Sequence, residues 1–155
     1  MKKIILLAVL VLMCPIKARA CEVPEEIVEI ADEVGEEYGI CPELLEAMAY
    51  RESRFTEDVV KGNHYGLMQV NVKIHADRLK KLGYTKADML DAKKNMTVAA
   101  DYLLELFEEY EDCEVVLAYY SGSTKSFEKY GYCKYARDVL TRSYNYEEEH
   151  GKHGG

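Results

Sequence analysis

Residues 44–55 read Leu-Leu-Glu-Ala-Met-Ala-Tyr-Arg-Glu-Ser-Arg-Phe, and residues 66–69 read Gly-Leu-Met-Gln. Helical spacing puts Leu45, Met48, Ala49 and Phe55 of the first stretch on one face, with Glu52 near its middle. The chain holds 28 acidic residues, so one more glutamate is uninformative by itself. Its place within an apolar stripe is what needs explaining. Burial disfavours the charged form, and the last turn of a helix carries partial negative charge, so both effects raise the pKa of such a carboxyl. A carboxylic acid that stays protonated near neutral pH can donate its proton to a leaving oxygen, and a glycosidic bond is the usual target. The alternative is a structural glutamate at the helix edge, paired with Arg51 or Arg54.

The rest of the chain frames that helix. With 155 residues, one domain is expected. Lys2 and Lys3 lead an apolar run from Ile4 to Met13, and Ala18-Arg19-Ala20 supplies small residues where a signal peptidase reads. Residues 1–20 are therefore read as a secretory signal, and the protein as exported to the periplasm or the extracellular wall. The run is too short for a permanent membrane span. Lipoprotein anchoring at Cys21 is the lesser alternative, because Ala18 is a poor match to the large aliphatic residue such a site prefers. Loss of the signal leaves 16 basic residues against 28 acidic, a net charge of -12. That balance argues against nucleic acid and anionic membrane as partners. Four cysteines then remain, Cys21, Cys41, Cys113 and Cys133, and in an exported domain they read as two disulfides. Paired C-x-x-C spacing is missing, so no zinc site is expected.

Apolar periodicity predicts further helices. Pro24–Tyr38 places Ile27, Ile30, Ala31, Val34 and Tyr38 on one face, and Gly39 suits its C-terminal cap. Pro42 suits the first position of the helix that carries Glu52 and ends near Phe55. Residues 57–65 read as a polar loop, and Gly66–Asn71 as an extended segment or tight turn. A short helix is expected around Ile74–Leu82. Thr85 with Asp88 looks like a cap for another turn. A longer helix, capped by Asn95 or Thr97, runs to about Tyr110. Residues 114–120 are apolar nearly all round, as in a central helix. Lys134–Tyr144 forms a last helix, and residues 145–155 read as a disordered tail. The domain proper is thus placed at residues 21–144, mostly α, with one small hairpin or extended segment.

Thirteen tyrosines and no tryptophan offer aromatic surface with polar tips, suited either to sugar rings or to an ordinary core. Gln69, inside Leu-Met-Gln-Val, must find a partner in the backbone or in a ligand amide. His64 reads as a loop residue.

Taken together, the motifs resemble the catalytic domain of soluble lytic transglycosylases, lysozyme-like muramidases that cleave peptidoglycan. The resemblance rests on Glu52-Ser53 with Phe55, on Gly66-Leu67-Met68-Gln69-Val70-Asn71, on Asn95-Met96 with Tyr102-Leu103, on Leu117-Ala118-Tyr119-Tyr120-Ser121-Gly122, and on Tyr135 with Val139. It spans roughly Ile27 to Leu140. It implies a lysozyme-like α-rich fold with a cleft between helices and a small β-hairpin or extended segment at that cleft, and Glu52 as the single catalytic acid and base. Such enzymes protonate the oxygen between MurNAc and GlcNAc. They then close a 1,6-anhydro ring through the MurNAc C6 hydroxyl, without water. Met68, Gln69 and Tyr119 match positions that line the family's sugar cleft, Tyr120 stands in that cleft, and Tyr135 matches a tyrosine near the acid. No cofactor or metal is implied. The partner is the peptidoglycan glycan strand, and local remodelling around a secretion or conjugation apparatus fits, as does attack on a competitor's wall. Nothing signals an oligomer, so a monomer is expected.

Three departures from the family pattern concern the cleft. Tyr120 replaces an Asn, residues 59–61 lack a Ser that supports substrate, and Tyr65 fills a place usually small or polar. Two other readings stay open: a hydrolytic, goose-type muramidase with Asp58 or Glu57 activating water, and a non-catalytic glycan-binding domain of the same fold. The resemblance also implies a disulfide pairing. Cys21 and Cys41 flank a helix of ~21 Å, beyond the ~7 Å reach of a bridge. If the two cleft helices both point their C-termini at the cleft, Cys41 pairs with Cys113 and Cys21 with Cys133.

Overall fold

A computed structural model describes residues 22–151; the expected signal segment lies outside them. The described chain is mostly α: α1 (Glu25–Tyr38), α2 (Pro42–Ser53), three two-residue strands β1 (Val60–Lys61), β2 (His64–Tyr65) and β3 (Val70–Asn71), then α3 (Ala76–Lys81), a single 3-10 turn (Ala87–Leu90), α4 (Ala92–Glu109), α5 (Cys113–Tyr120), α6 (Thr124–Tyr130) and α7 (Lys134–Glu149). The strands form one antiparallel sheet in sequence order, with Tyr65 paired to both Val60 and Val70. Among the described residues, no helix is long and apolar enough to cross a membrane.

The central helix is α2. Every residue from Glu43 to Ala49 is buried, and α2 packs against α1 on one side and α7 on another. α4 packs on α1 and α5, and α7 also packs on α5. α2 stops at Ser53, two residues short of the expected end. The Ser53 hydroxyl donates to the Ala49 carbonyl and accepts from the Thr56 amide. Arg54 and Phe55 then both take left-handed backbone, at φ 57° and 62°. Phe55 is thus off the helix, and its ring packs against Tyr50 at 5.5 Å.

The other differences also have local causes. Asp91, rather than Asn95 or Thr97, caps α4 by accepting from the Lys94 amide. The Thr85–Asp88 cap is present, with the Asp88 carboxylate accepting from the Thr85 amide at 2.8 Å and its hydroxyl at 2.6 Å. α6 follows the Ser121-Gly122-Ser123 break. Its seven residues include none that is buried, so it carries no apolar stripe to read. α7 continues to Glu149, five residues past the expected end, because Tyr146 is fully buried there.

The expected Cys41–Cys113 disulfide is not formed; Cys41, Cys113 and Cys133 are free thiols. The reason lies in helix direction. Cys41 Sγ sits 3.6 Å from Glu147 near the end of α7. Glu114, next to Cys113, accepts from the amide of Cys133 at the start of α7. The two helix N-termini therefore lie at opposite ends of α7, about 21 Å apart along its axis, far beyond bridging distance. Cys21, the expected partner of Cys133, lies outside the described residues.

Candidate active site

The C-terminal end of α2, the β-sheet, the α4 face and the ends of α5 and α7 enclose a cleft of about 530 Å³. Glu52, Met68, Gln69, Tyr119, Tyr120 and Tyr135 all line it, so the fold brings every sequence-selected residue to one place. Among the described residues lining the cleft, Glu52 is the only carboxylate. Glu57 lies instead in a separate acidic groove with Glu26, Glu29 and Asp91, and Asp58 does not line the cleft either.

Glu52 sits one residue before the end of α2, half-buried. Burial pushes its carboxyl above the ordinary range. The nearby Tyr135 hydroxyl, then Arg51, His64 and Lys61, offset part of that rise by favouring the carboxylate. Neither arginine closes a salt bridge with Glu52. Arg51 points to Asp138 at 3.8 Å and lies over the Tyr135 ring, and Arg54 stacks on Tyr50. The Tyr135 hydroxyl is buried and makes no hydrogen bond of ordinary geometry among the described residues. Its own pKa is raised, first by burial and then by the charge of Glu52, so it remains a neutral donor beside that carboxyl.

The cleft floor is the Gly66–Gln69 turn. Gly66 has φ 76°, and a Cβ there would lie 2.1 Å from the Met89 carbonyl oxygen and 2.5 Å from Asn95 Nδ2. Only glycine fits. Asn95 explains the crowding. Fully buried, it accepts from the Met68 amide at 2.7 Å and donates to the carbonyls of Tyr65 and Met89 at 2.8 and 2.9 Å. Gln69, at φ 50°, donates through Nε2 to the carbonyls of Gly66 and Val59 at 2.9 and 3.1 Å. Backbone thus claims its amide nitrogen. Among the described residues, the three non-glycine residues with positive φ, Arg54, Phe55 and Gln69, all belong to segments bordering the cleft. Strain of this kind tends to gather at functional sites.

Aromatic rings form the opposite wall. Tyr135, Tyr120, Tyr102 and His75 follow one another with centroid spacings of 6.4, 5.7 and 4.7 Å. The Tyr120 hydroxyl donates to the Met68 carbonyl at 3.2 Å, so this departure from the family pattern braces the turn. Tyr119 stacks on Tyr110 at 4.3 Å on the cleft rim. Arg78, ion-paired to Asp101 and Glu105, lies 5.2 Å from the centre of Tyr102 and steadies the far end of the row. Burial lowers the His75 pKa, with the Arg78 charge adding to it, which favours the neutral ring. Tyr65, the other aromatic departure, does not line the cleft; Lys86 sits over its ring at 4.9 Å.

Sequence reasoning missed His64, Asn71, His75 and Arg51 as cleft residues. His64 pairs with Asn71 across β2 and β3, its Nε2 3.3 Å from Asn71 Nδ2. A reading of Gly62-Asn63 as a two-residue hairpin turn would have lifted His64 from loop to cleft wall.

Comparison with known proteins bears on the same region. Residues 29–138 match the family model described as the transglycosylase SLT domain. The chain is also similar to Protein IpgF of Shigella flexneri, at 34% identity over 118 residues, covering 72% of this chain and 76% of that protein. Protein IpgF of Shigella sonnei matches to the same extent. With the α-rich fold and its cleft, a match across this span means that the chain belongs to the transglycosylase SLT domain family, within the lysozyme-like superfamily.

Proposed function

We propose that the protein is a peptidoglycan lytic transglycosylase, exported to the cell envelope, that cleaves the β-1,4 bond between MurNAc and GlcNAc. The observation that carries this reading is the solitary carboxyl of Glu52 in a tyrosine-lined cleft. Its raised pKa favours the protonated state that a general acid needs. Glu52 gives its proton to the glycosidic oxygen as the bond from MurNAc C1 breaks, and GlcNAc leaves as an alcohol. The resulting carboxylate takes the proton of the C6 hydroxyl as O6 bonds to C1. Glu52 ends protonated, and no water is consumed. The Tyr135 hydroxyl is positioned to steady the carboxylate between the two steps. Met68, Gln69, Tyr119 and Tyr120 supply the floor and walls against which sugar rings pack.

An inverting hydrolase needs a second carboxylate ~6.5–9.5 Å from the acid. Glu57 and Asp58 lie outside the cleft lining, which favours the anhydro route over the goose-type alternative. Mass analysis of the products from purified peptidoglycan tests the proposal. Muropeptides ending in 1,6-anhydroMurNAc are expected, each one water lighter than a hydrolytic product. Reducing MurNAc ends would convert the reading to hydrolysis, and no release would leave a binding domain. Glu52→Gln is expected to cut the rate by about 10²–10⁴-fold, the usual contribution of a positioned acid and base. An unchanged rate in the folded variant would remove Glu52 from the mechanism.

A further inference from the structure

One stretch of surface beside the cleft runs against the charge of the whole chain. Residues 125–137 hold four cations, Lys125, Lys129, Lys134 and Arg137, and one carboxylate, Glu128, in a chain of net charge -8. All four cations are exposed. Among the described residues, none of them closes an ion pair. Asp138, next in the sequence, pairs instead with Arg51. Two of the cations lie over tyrosine rings: Lys129 Nζ is 4.8 Å from the centre of Tyr130, and the Arg137 guanidinium is 5.4 Å from that of Tyr132. These rings are 59% and 45% exposed and stand 6.3 Å apart. Lys129, Tyr130, Tyr132 and Arg137 thus form one continuous strip, two rings flanked by two cations.

The strip adjoins the cleft. α6 begins directly after Ser121, Gly122 and Ser123, which line the cleft, and the first turn of α7 returns to it with Tyr135. None of the seven residues of α6 is buried, so the core does not account for the side chains this helix carries. Contact with the rings holds Lys129 and Arg137 in place before a partner arrives, and less freedom is then lost on binding. Screening sets the size of the partner. At physiological ionic strength charges act over about 8 Å. A small anion at the strip meets the four cations. An extended polyanion, such as nucleic acid or an anionic bilayer, also meets the rest of the surface, where acid is in excess. The strip therefore suits a short anionic segment attached to whatever occupies the cleft.

We propose that this strip binds the carboxylates of the peptide stems that peptidoglycan carries on its MurNAc residues, while the glycan strand lies in the cleft. The inference rests on the reading of the cleft as a glycan site. Lys129 and Arg137 take the carboxylates, and the planar guanidinium can hold both oxygens of one group. Lys125 and Lys134 add to the local field. The faces of Tyr130 and Tyr132 pack against the alkyl parts of the peptide. The strip takes no part in the chemistry at Glu52; it selects strands that keep their stems.

The test uses the mature chain with Glu52→Gln, so that the strand stays intact, in calorimetric titrations with two probes. One is uncross-linked glycan strands that keep their stems; the other is the same strands stripped of stems by an amidase. An exposed ion pair contributes about 1.4–5-fold to affinity, so two pairs should make stem-bearing strands bind about 2–25-fold more tightly at low salt. The ratio should fall as salt rises and reach about one in the double variant Lys129→Glu, Arg137→Glu. Lys80→Glu with Lys86→Glu, an equal change of charge on exposed lysines elsewhere, should keep the parent's ratio. A parent ratio of one overturns the proposal. So does a ratio that survives reversal at Lys129 and Arg137, or failure to bind either probe. Binding to phosphatidylglycerol vesicles that the reversal abolishes, without preference for stems, would reassign the strip to lipid. The catalytic reading fails separately: if the parent releases no anhydro products while Glu52→Gln protein still prefers stem-bearing strands, the chemistry assigned to the cleft is wrong and the strip stands.

Discussion

Glu52 is held by opposing effects. Burial raises its pKa, and Tyr135, Arg51, His64 and Lys61 pull it back. The raised side prevails, and both activity and stability should report it. General-acid activity requires the protonated form, so kcat/KM should fall as pH rises through the Glu52 pKa. Replacing Tyr135 with Phe removes the strongest group that favours the carboxylate. The alkaline limb of the Tyr135→Phe profile should therefore move to higher pH, and an unmoved or lowered limb would show that the hydroxyl does not act on Glu52. Stability follows the same sign. A carboxyl with a folded pKa above its unfolded value of about 4.5 makes the folded state bind more protons than the unfolded one. Stability is then fully present below that value and is lost as pH rises through the folded pKa. Glu52→Gln should accordingly melt higher than the parent at pH 7 and together with it below about pH 4. A variant that melts no higher at pH 7 would mean that Glu52 carries no burial cost.

At the scale of elements, the decisive unit is the Gly66–Gln69 turn, and what holds it lies in α4. Asn95 fills the space a Cβ on Gly66 would need and bonds three backbone groups with its amide. Asn95→Ala would leave the Met68 amide and two carbonyls without those partners. Each buried orphan costs ~1–3 kcal/mol, so a loss of about 3 kcal/mol is expected in urea denaturation, with activity falling in the folded fraction as Met68 and Gln69 loosen. A loss below about 1 kcal/mol would show that water replaces the amide. The turn was legible as Gly-Leu-Met-Gln, but its support was not. Asn at a helix start reads as a cap, and only the packing of α4 on the sheet shows Asp91 capping and Asn95 facing inward. The small hairpin expected at the cleft is present as β1 and β2, but its bounds were not legible, because two-residue strands are too short to show alternation.

Across the whole molecule, apolar periodicity located α1, α2, α4, α5 and most of α7, and with them the helical class. It carried no information on how helices run relative to one another, and there the expected Cys41–Cys113 bridge failed: Cys41 faces one end of α7 and Cys113 neighbours the other. The same gap hid the end of α7. Residues 145–149 read as a polar tail because one aromatic among glutamates makes no stripe. Yet Tyr146 is fully buried there, and Arg142 lies over both its ring and that of Tyr50, joining α7 to α2. Tyr146 is thus a fastening point of the fold, about 16 Å along α7 from Tyr135. Tyr146→Ala opens a cavity where a large side chain was buried, a change that costs ~3–5 kcal/mol. The melting temperature should drop by at least about 6 °C. At a temperature where the variant is still folded, kcat/KM should stay within twofold of the parent, since no cleft residue moves. A melting temperature lowered by less than about 3 °C would return residues 145–149 to the status of a tail. Lost activity in the folded variant would instead show that the far end of α7 positions Tyr135.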